Sequence, residues 1–243
     1  MKSPLKNSTR KFSIKGDIFI PISVIILALI GTVFIYSASN YSAEITYGDK
    51  CYFVKKQLLG IGLGIITMIF TANVDYSKLK KIWLPVCIVT IVLLCLVFVP
   101  GIGVENYGAK RWIGFGSFTI QPSELAKFSL ILFSAVRVSK NPEKVTSFIG
   151  VLPILIYGVI LCVLIMLEPN MSITACVGLL MVSMLFVSGI KIKTLLCICL
   201  PALALGVVLI LIEPYRLSRL FAFINPWANP KGEGYQLLQS LYA

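Results

Sequence analysis

The stretch FIGVLPILIYGVILCVLIML, Phe148–Leu167, contains 20 consecutive residues without a charged side chain. A helix that crosses the hydrocarbon core of a bilayer needs about 20 predominantly apolar residues. A helix on the surface of a soluble protein would instead carry a polar face. The stretch therefore predicts a transmembrane helix and places the chain among helical membrane proteins.

The remainder of the chain has the same character. Of its 243 residues 58% are hydrophobic and only 13% are charged, a composition that no soluble domain requires. We predict an all-α polytopic membrane protein with seven spans, the fourth interrupted near its start by charged side chains. The predicted spans are Ile18–Tyr36, Tyr52–Thr71, Ile82–Val99, Phe118–Val136, Phe148–Leu167, Met171–Ile190 and Thr194–Ile212.

The first span could be a cleaved secretory signal, because basic residues precede it and Ser37-Ala38-Ser39 follows it. Its apolar core is longer than the roughly 7–15 residues of a cleaved signal, so we interpret it as a retained signal-anchor. Lysine and arginine favour the cytoplasmic side, and placing the N-terminus there puts 13 of them inside and eight outside. We therefore predict a cytoplasmic basic tail (1–16), a membrane domain (17–212) and an extracellular segment (213–243).

The number and placement of cysteines, and the lack of histidine, exclude several kinds of site. The seven cysteines fall mostly inside predicted helices and do not resemble a disulfide framework. The chain contains no histidine, which excludes Ser-His-Asp and Cys-His triads and removes the commonest metal ligand. No metal site or cofactor can be identified from these residues, although a divalent cation remains possible, and proton transfer would fall to carboxylates or lysines.

Charged residues collect at the predicted outer ends of the helices. Lys110, Arg111, Arg216 and Arg219 lie there against the charge bias, which favours an anionic ligand over a contact with lipid headgroups. Glu124 and Lys127 are three residues apart in a predicted helix, so their side chains can pair on one face. Another carboxylate and an amide occur at the same end, in Glu168-Pro169-Asn170. Charged groups within a membrane indicate a functional site, with a structural ion pair as the alternative for Glu124 and Lys127.

Two long motifs now identify the chain as resembling a known family. GAKRWIGFGSFTIQPSELAK (108–127) and EPYRLSRLFAFINPWANPKGEGYQLLQSLYA (213–243) are similar to signatures of the SEDS family, whose members include FtsW, RodA and SpoVE. The residues NPW and GYQLLQSLYA of the second motif resemble FtsW and SpoVE more than RodA. FVKKQ (53–57) resembles the basic start of the family's second helix.

The resemblance implies a peptidoglycan glycosyltransferase of the bacterial plasma membrane. Such enzymes polymerise lipid II at the extracellular face, in division, elongation or sporulation, together with a class B penicillin-binding protein. No nucleic-acid partner is expected. By resemblance, the residues that would line the substrate cavity are Lys56, Lys110, Arg111, Trp112, Glu124, Lys127, Arg216 and Arg219. Basic side chains there would stabilise the charge of the departing pyrophosphate.

Three departures from the family pattern matter. The family commonly has Gln-Pro-Asp where this chain has Glu168-Pro169-Asn170, so a carboxylate lies two positions earlier. Asn229 stands where many members have aspartate. Family members have about ten helices and a large extracellular loop, and the resemblance implies that 213–243 are the start of this loop. Their catalytic aspartate lies later in the same loop, beyond the position of Ala243. We therefore expect the N-terminal seven-helix part of such an enzyme, inactive alone, with Glu168 as a weak stand-in for the base.

Two other functions remain open. A flippase for lipid-linked precursors would be expected to show internal repeats and broken helices near the bilayer midplane, and the sequence shows no internal repeat. A non-catalytic scaffold for a class B penicillin-binding protein is the second alternative. The sequence does not distinguish a role in division from one in elongation or sporulation.

Overall fold

The computed structural model describes residues 18–106, 109–115, 118–212, 214–232 and 234–242. They form two compact units, which divide between Lys78 and Leu79. The elements are mainly helical, with three short strands between the third and fourth helices. The helices are α1 Phe19–Tyr47, α2 Tyr52–Asn73, α3 Leu79–Leu96, α4 Pro122–Lys140, α5 Phe148–Leu167, α6 Met171–Val187, α7 Ile192–Ile212, α8 Pro214–Ile224 and α9 Tyr235–Tyr242; the strands are β1 Gly103–Asn106, β2 Ala109–Phe115 and β3 Phe118–Ile120.

The first unit is a pair of helices with almost no interior. Ala43 is the one buried residue of α1 in the described part of the chain, and α2 has none. A helix that is apolar all round and yet exposed is typical of a membrane span. α1 runs to Tyr47, well beyond the predicted end at Tyr36, and ends where Gly48 adopts a left-handed conformation with φ 68°. The predicted basic tail, 1–16, lies outside the described residues.

The second unit packs around α4, which contacts α3, α5 and α6. Its core includes Leu94, Leu130, Leu161 and Val177, all fully buried. Small and hydroxyl-bearing residues make α4 the least apolar of the long helices of this unit, and several of them, including Ser123, Ala126 and Ser134, are buried. One buried hydroxyl, that of Ser129, lies 2.8 Å from its partner on α5, the hydroxyl of Tyr157. Such pairing offsets the cost of removing a hydroxyl from water, whereas the buried hydroxyls of Ser123 and Ser134 on the same helix have no hydrogen-bond partner among the described residues.

The fourth predicted span is wrong at its start. Phe118–Ile120 is a strand, and the helix begins at Pro122, where the missing N–H of proline removes no helical hydrogen bond. The prediction of an all-α chain likewise missed the three-stranded antiparallel sheet, whose order is β1-β2-β3. Each strand is short, and glycines interrupt the segment between Leu96 and Pro122, so its sequence pattern was too weak to predict the sheet.

Four helical segments within the described residues are long and apolar enough to cross a membrane, namely α1, α2, Tyr76–Leu96 and α5. α6 and the apolar part of α7 are shorter. These segments confirm a polytopic helical membrane protein. The count of seven spans and the cytoplasmic N-terminus stay predictions.

Candidate functional site

The three-stranded sheet presents Arg111 through a β-bulge. In the ladder between β1 and β2, Val104 pairs with Trp112 and Glu105 pairs with Lys110. Arg111 is therefore an extra residue of β2 that has no paired residue on β1. A bulge of this kind bends the strand and changes the direction of the side chain next to it. Arg111 therefore differs from Lys110, the other basic residue of this strand, because it lies at the bulge.

The guanidinium group of Arg111 contacts the turn that joins α5 to α6. Its Nε donates to the carbonyl oxygen of Glu168 at 3.2 Å, and an Nη donates to the carbonyl oxygen of Pro169. Carbonyl oxygens at the end of a helix have no partner within the helix, so this contact satisfies groups that would otherwise need water. The contact ties the sheet to the ends of α5 and α6.

Glu168 also contributes a buried side chain at this turn. Glu168 is fully buried, and neither carboxyl oxygen has a hydrogen-bond partner among the described residues. Burial raises the pKa of Glu168 to about 8, and the nearby charge of Arg111 opposes that rise. At neutral pH the carboxyl is therefore held mainly in its neutral form.

Asn170 starts the next helix. Its side-chain oxygen accepts a hydrogen bond from the N–H of Ile173 at 3.5 Å, and the residue is almost fully buried. Asparagine and aspartate are about equally good at this capping position. The amide therefore serves as the cap of α6 at the position where the resemblance would have placed a carboxylate.

The predicted pairing of Glu124 and Lys127 is confirmed. The ammonium of Lys127 lies 2.8 Å from Glu124 Oε2 in the first turns of α4, with side chains that are 25% and 57% exposed. The first turn of a helix carries unpaired N–H groups that favour negative charge. Glu124 and Lys127 thus form a partly exposed ion pair at the helix end that directly follows β3.

The other predicted site residues lie on three different elements, β2, α2 and α8. Lys110 is exposed and Trp112 half-buried, both on β2. Lys56 lies on α2 in the first unit. Arg216 and Arg219 lie on α8, but their side chains are outside the described part of the chain. The described residues contain no group of three or more His, Cys, Asp or Glu side chains that could hold a metal ion.

Chemically, this end of the second unit suits an anion. Arg111 is held by neutral carbonyl oxygens and Glu168 is mainly protonated, so the positive charge of the guanidinium is not neutralised there. Arginine has five N–H donors, of which the backbone contacts use two, and the remainder can bind oxygens of a phosphate. Sequence reasoning missed the bulge and the contact of Arg111 with the α5–α6 turn, because both depend on strand register and tertiary packing.

Comparisons with known proteins agree with this architecture. A family profile described as "cell cycle protein", covering FtsW, RodA and SpoVE, matches residues 18–243. The chain is 38% identical over 240 residues to stage V sporulation protein E of Bacillus subtilis, covering 97% of this chain and 64% of that protein. It is 34% identical over 228 residues to a probable peptidoglycan glycosyltransferase FtsW of Trichlorobacter lovleyi, covering 93% of this chain and 60% of that protein.

The solved structures most relevant here share the fold. One belongs to a peptidoglycan synthase complex described as coordinating polymerization and crosslinking, with a TM-score of 0.73, 25% identity, and coverage of 94% of this chain and 65% of that one. The rod shape determining protein RodA of Thermus thermophilus gives a TM-score of 0.54 at 25% identity, covering 72% and 58%. The chain thus spans about three fifths of the length of the relatives it matches.

Proposed function

Because the chain belongs to the FtsW, RodA and SpoVE family of cell cycle proteins, we propose that it contributes the substrate-binding part of a lipid II polymerase. Lipid II carries its disaccharide on undecaprenyl pyrophosphate, and it would be joined to the growing glycan at the extracellular face of the plasma membrane. The polymerase would act with a class B penicillin-binding protein. Similarity to a synthase complex that coordinates polymerization and crosslinking supports this partner.

The observation that carries the proposal is the position of Arg111. Its guanidinium is fixed by two carbonyl oxygens at the end of α5, while its charge is not neutralised by the buried Glu168. In glycosyl transfer the acceptor hydroxyl attacks the anomeric carbon as the bond to pyrophosphate breaks. A fixed cation with free donors stabilises the negative charge that develops on the departing oxygen.

The remaining roles follow from the same end of the second unit. Lys127 would bind the pyrophosphate beside Arg111, with Glu124 orienting its ammonium. Lys110, Trp112, Arg216 and Arg219 would complete the walls of the site. Glu168 is a poor candidate for the base that takes the proton from the acceptor hydroxyl, because its carboxyl is buried and mainly protonated. We therefore assign no catalytic base to the described residues.

Polymerisation of labelled lipid II tests the proposal. The 243-residue chain, purified with a matched class B penicillin-binding protein, is expected to yield no glycan above a partner-only control. A hybrid is expected to yield polymer when the sequence that follows the matched region of the Bacillus subtilis relative is joined after Ala243. Replacing Arg111 by Gln in the hybrid should lower that yield by about 10²-fold or more, as for other groups that stabilise charge in a transition state.

The same hybrid, in vesicles, separates this function from the alternatives. Translocation of lipid II without glycan growth would favour the flippase. Binding of the penicillin-binding protein with neither activity would favour the scaffold. Polymer from the 243-residue chain alone would instead show that it contains a base, and Glu168→Gln would then test whether Glu168 supplies it.

A further inference from the structure

A groove lies between α1 and α2 in the first unit, near the end where α1 stops and α2 begins. Its volume is about 470 Å³. Apolar walls from both helices border it, with a hydroxyl, an amide and an ammonium among them. The lining residues are Ile35, Ala38, Ser39, Phe53, Lys56 and Gln57. An apolar groove with a cation among its lining residues is suited to an amphiphile with an anionic head.

Of the three described lysines near the groove, Lys50, Lys55 and Lys56, only Lys56 has no ion pair with a carboxylate. Lys50 lies 3.4 Å from Glu44, and Lys55 lies 2.7 Å from Asp49. The remaining carboxylate in the described part of this unit, Asp75, follows the far end of α2, about 25 Å away along the helix. Lys56 therefore carries net positive charge at the groove with no described carboxylate to balance it.

Aromatic packing holds that charge in position. The Lys56 ammonium lies 4.7 Å from the centre of the Tyr52 ring, a distance typical of a cation–π contact. The Tyr52 ring in turn stacks on Tyr47 at 3.9 Å and meets Phe53 edge-on at 5.3 Å. The contact with this aromatic cluster restricts the Lys56 side chain, so the side chain would lose less conformational entropy on binding an anion.

We infer that the groove between α1 and α2 binds an anionic glycerophospholipid, with the phosphate on Lys56 and an acyl chain against Ile35, Ala38 and Phe53. Gln57 supplies amide donors to the headgroup. Ser39 already donates to the carbonyl oxygen of Ile35 at 2.6 Å, so its hydroxyl oxygen serves as an acceptor for the glycerol portion. The assignment separates Lys56 from the substrate-binding residues and does not depend on the proposed polymerase activity.

Native mass spectrometry of the 243-residue chain in detergent tests the headgroup. Phosphatidylglycerol and phosphatidylcholine with identical acyl chains are added separately, and the dissociation constant of the first bound lipid is measured. The wild type is expected to bind phosphatidylglycerol more tightly than phosphatidylcholine. Lys56→Gln should raise the dissociation constant for phosphatidylglycerol about fivefold and leave that for phosphatidylcholine unchanged. Equal binding of the two lipids by the wild type would overturn the inference.

A matched control removes the neighbouring ion pair as a whole. The double variant Asp49→Asn, Lys55→Gln leaves the net charge unchanged, and the asparagine retains an acceptor for the N–H of Cys51. It should bind phosphatidylglycerol as the wild type does. A loss equal to that of Lys56→Gln would show that the lipid senses overall surface charge rather than the groove, and would contradict the proposal.

A third variant and a competitor test the groove itself. Ala38 is exposed, so the larger side chain of Ala38→Leu should fill the groove without disturbing the packing of the helices. The variant should lose the tight binding of both lipids and keep the melting temperature of the wild type. Wild-type affinity in this variant would place the lipid elsewhere. Farnesyl pyrophosphate should displace phosphatidylglycerol only in large excess. Displacement at equimolar concentration would instead assign the groove to polyprenyl pyrophosphates.

Discussion

Arg111 and Glu168 meet through the main chain and not through their opposite charges. The guanidinium Nε donates to the carbonyl oxygen of Glu168 at 3.2 Å, whereas both carboxyl oxygens of Glu168 are buried without a partner among the described residues. The arrangement fixes the arginine, and no described carboxyl oxygen of Glu168 is hydrogen-bonded to its guanidinium. The same turn holds the buried and mainly protonated carboxyl of Glu168.

Replacement of Arg111 by Ala should destabilise the protein. Two carbonyl oxygens at the end of α5 would lose charged donors, and such hydrogen bonds contribute about 1.5–3 kcal/mol each when made to charged groups. A fall in melting temperature in detergent is expected, whereas Lys110→Ala, an exposed neighbour on β2, should leave it unchanged. Identical melting curves for the two variants would contradict the assigned contact.

Stability should depend on pH through Glu168. Its pKa is raised from 4.5 to about 8 in the folded protein, so the folded state binds more protons than the unfolded state between those values. Its contribution to stability is therefore fully present below about pH 4.5 and is lost as pH rises through about 8, a change on the order of a few kcal/mol.

The check is thermal unfolding in detergent across that range. The wild type should melt at progressively lower temperature as pH rises from 6 to 9, and Glu168→Gln, which cannot ionise, should flatten this dependence. An equally steep pH profile in the variant would assign the effect to another group.

Lys127 should matter for binding lipid II in a way that Lys140 does not. Both lysines lie on α4, but Lys127 pairs with Glu124 in the first turns, whereas Lys140 lies at the other end, 5.6 Å from the Trp83 ring centre. Lys127→Ala should weaken lipid II binding about tenfold, equivalent to about 1.4 kcal/mol. Similar affinities for Lys127→Ala and Lys140→Ala would favour a purely structural role for the pair.

Close packing of α5 and α6 depends on Gly158. A methyl group added there would lie 2.3 Å from the sulfur of Met181 and 3.7 Å from Leu130. Gly158→Val should therefore destabilise the protein by about 1–3 kcal/mol, as overpacked cores do. Met181→Ala in the same chain should restore part of the loss. Gly178→Val on α6, where an added Cβ meets nothing within 4 Å, is the matched control.

The sidedness of the chain can be tested with reporter fusions. A reporter after Lys193 should be cytoplasmic and one after Lys231 extracellular, because α7 lies between them and basic residues favour the cytoplasm. Finding both on one side would remove α7 from the set of spans. Agreement would place the α5–α6 turn and the sheet on the extracellular face, provided that α4, α5 and α6 each cross the membrane once.

The sequence predicted the helices well and the loop before α4 poorly, for a physical reason. Length and hydropathy determine a membrane helix almost alone, so α5 and the start of α6 agree with their predicted bounds. The end of α1 does not, because polar residues after Tyr36 can remain helical until Gly48 ends the helix. Strand register depends on contacts between segments, and the sheet was accordingly missed.

The same division applies to the site. Glu124 and Lys127 were predicted as a pair because helix geometry alone places residues three apart on one face. Arg111 was grouped with other cations, but its contact with the α5–α6 turn requires knowing how the sheet packs on the helices. Lys56 was grouped with them by motif, and its neighbours on α1 became visible only in the structure.

The bulge at Arg111 constrains the length of the polypeptide between α3 and α4. A deletion of one residue in β2 could close the ladder into a regular hairpin, but it would remove the residue whose side chain reaches the α5–α6 turn. An insertion would shift every later residue of the strand to the opposite face of the sheet. Surface loops generally tolerate changes in length, and this one is expected not to: natural or designed variants should exchange side chains here far more readily than they gain or lose residues.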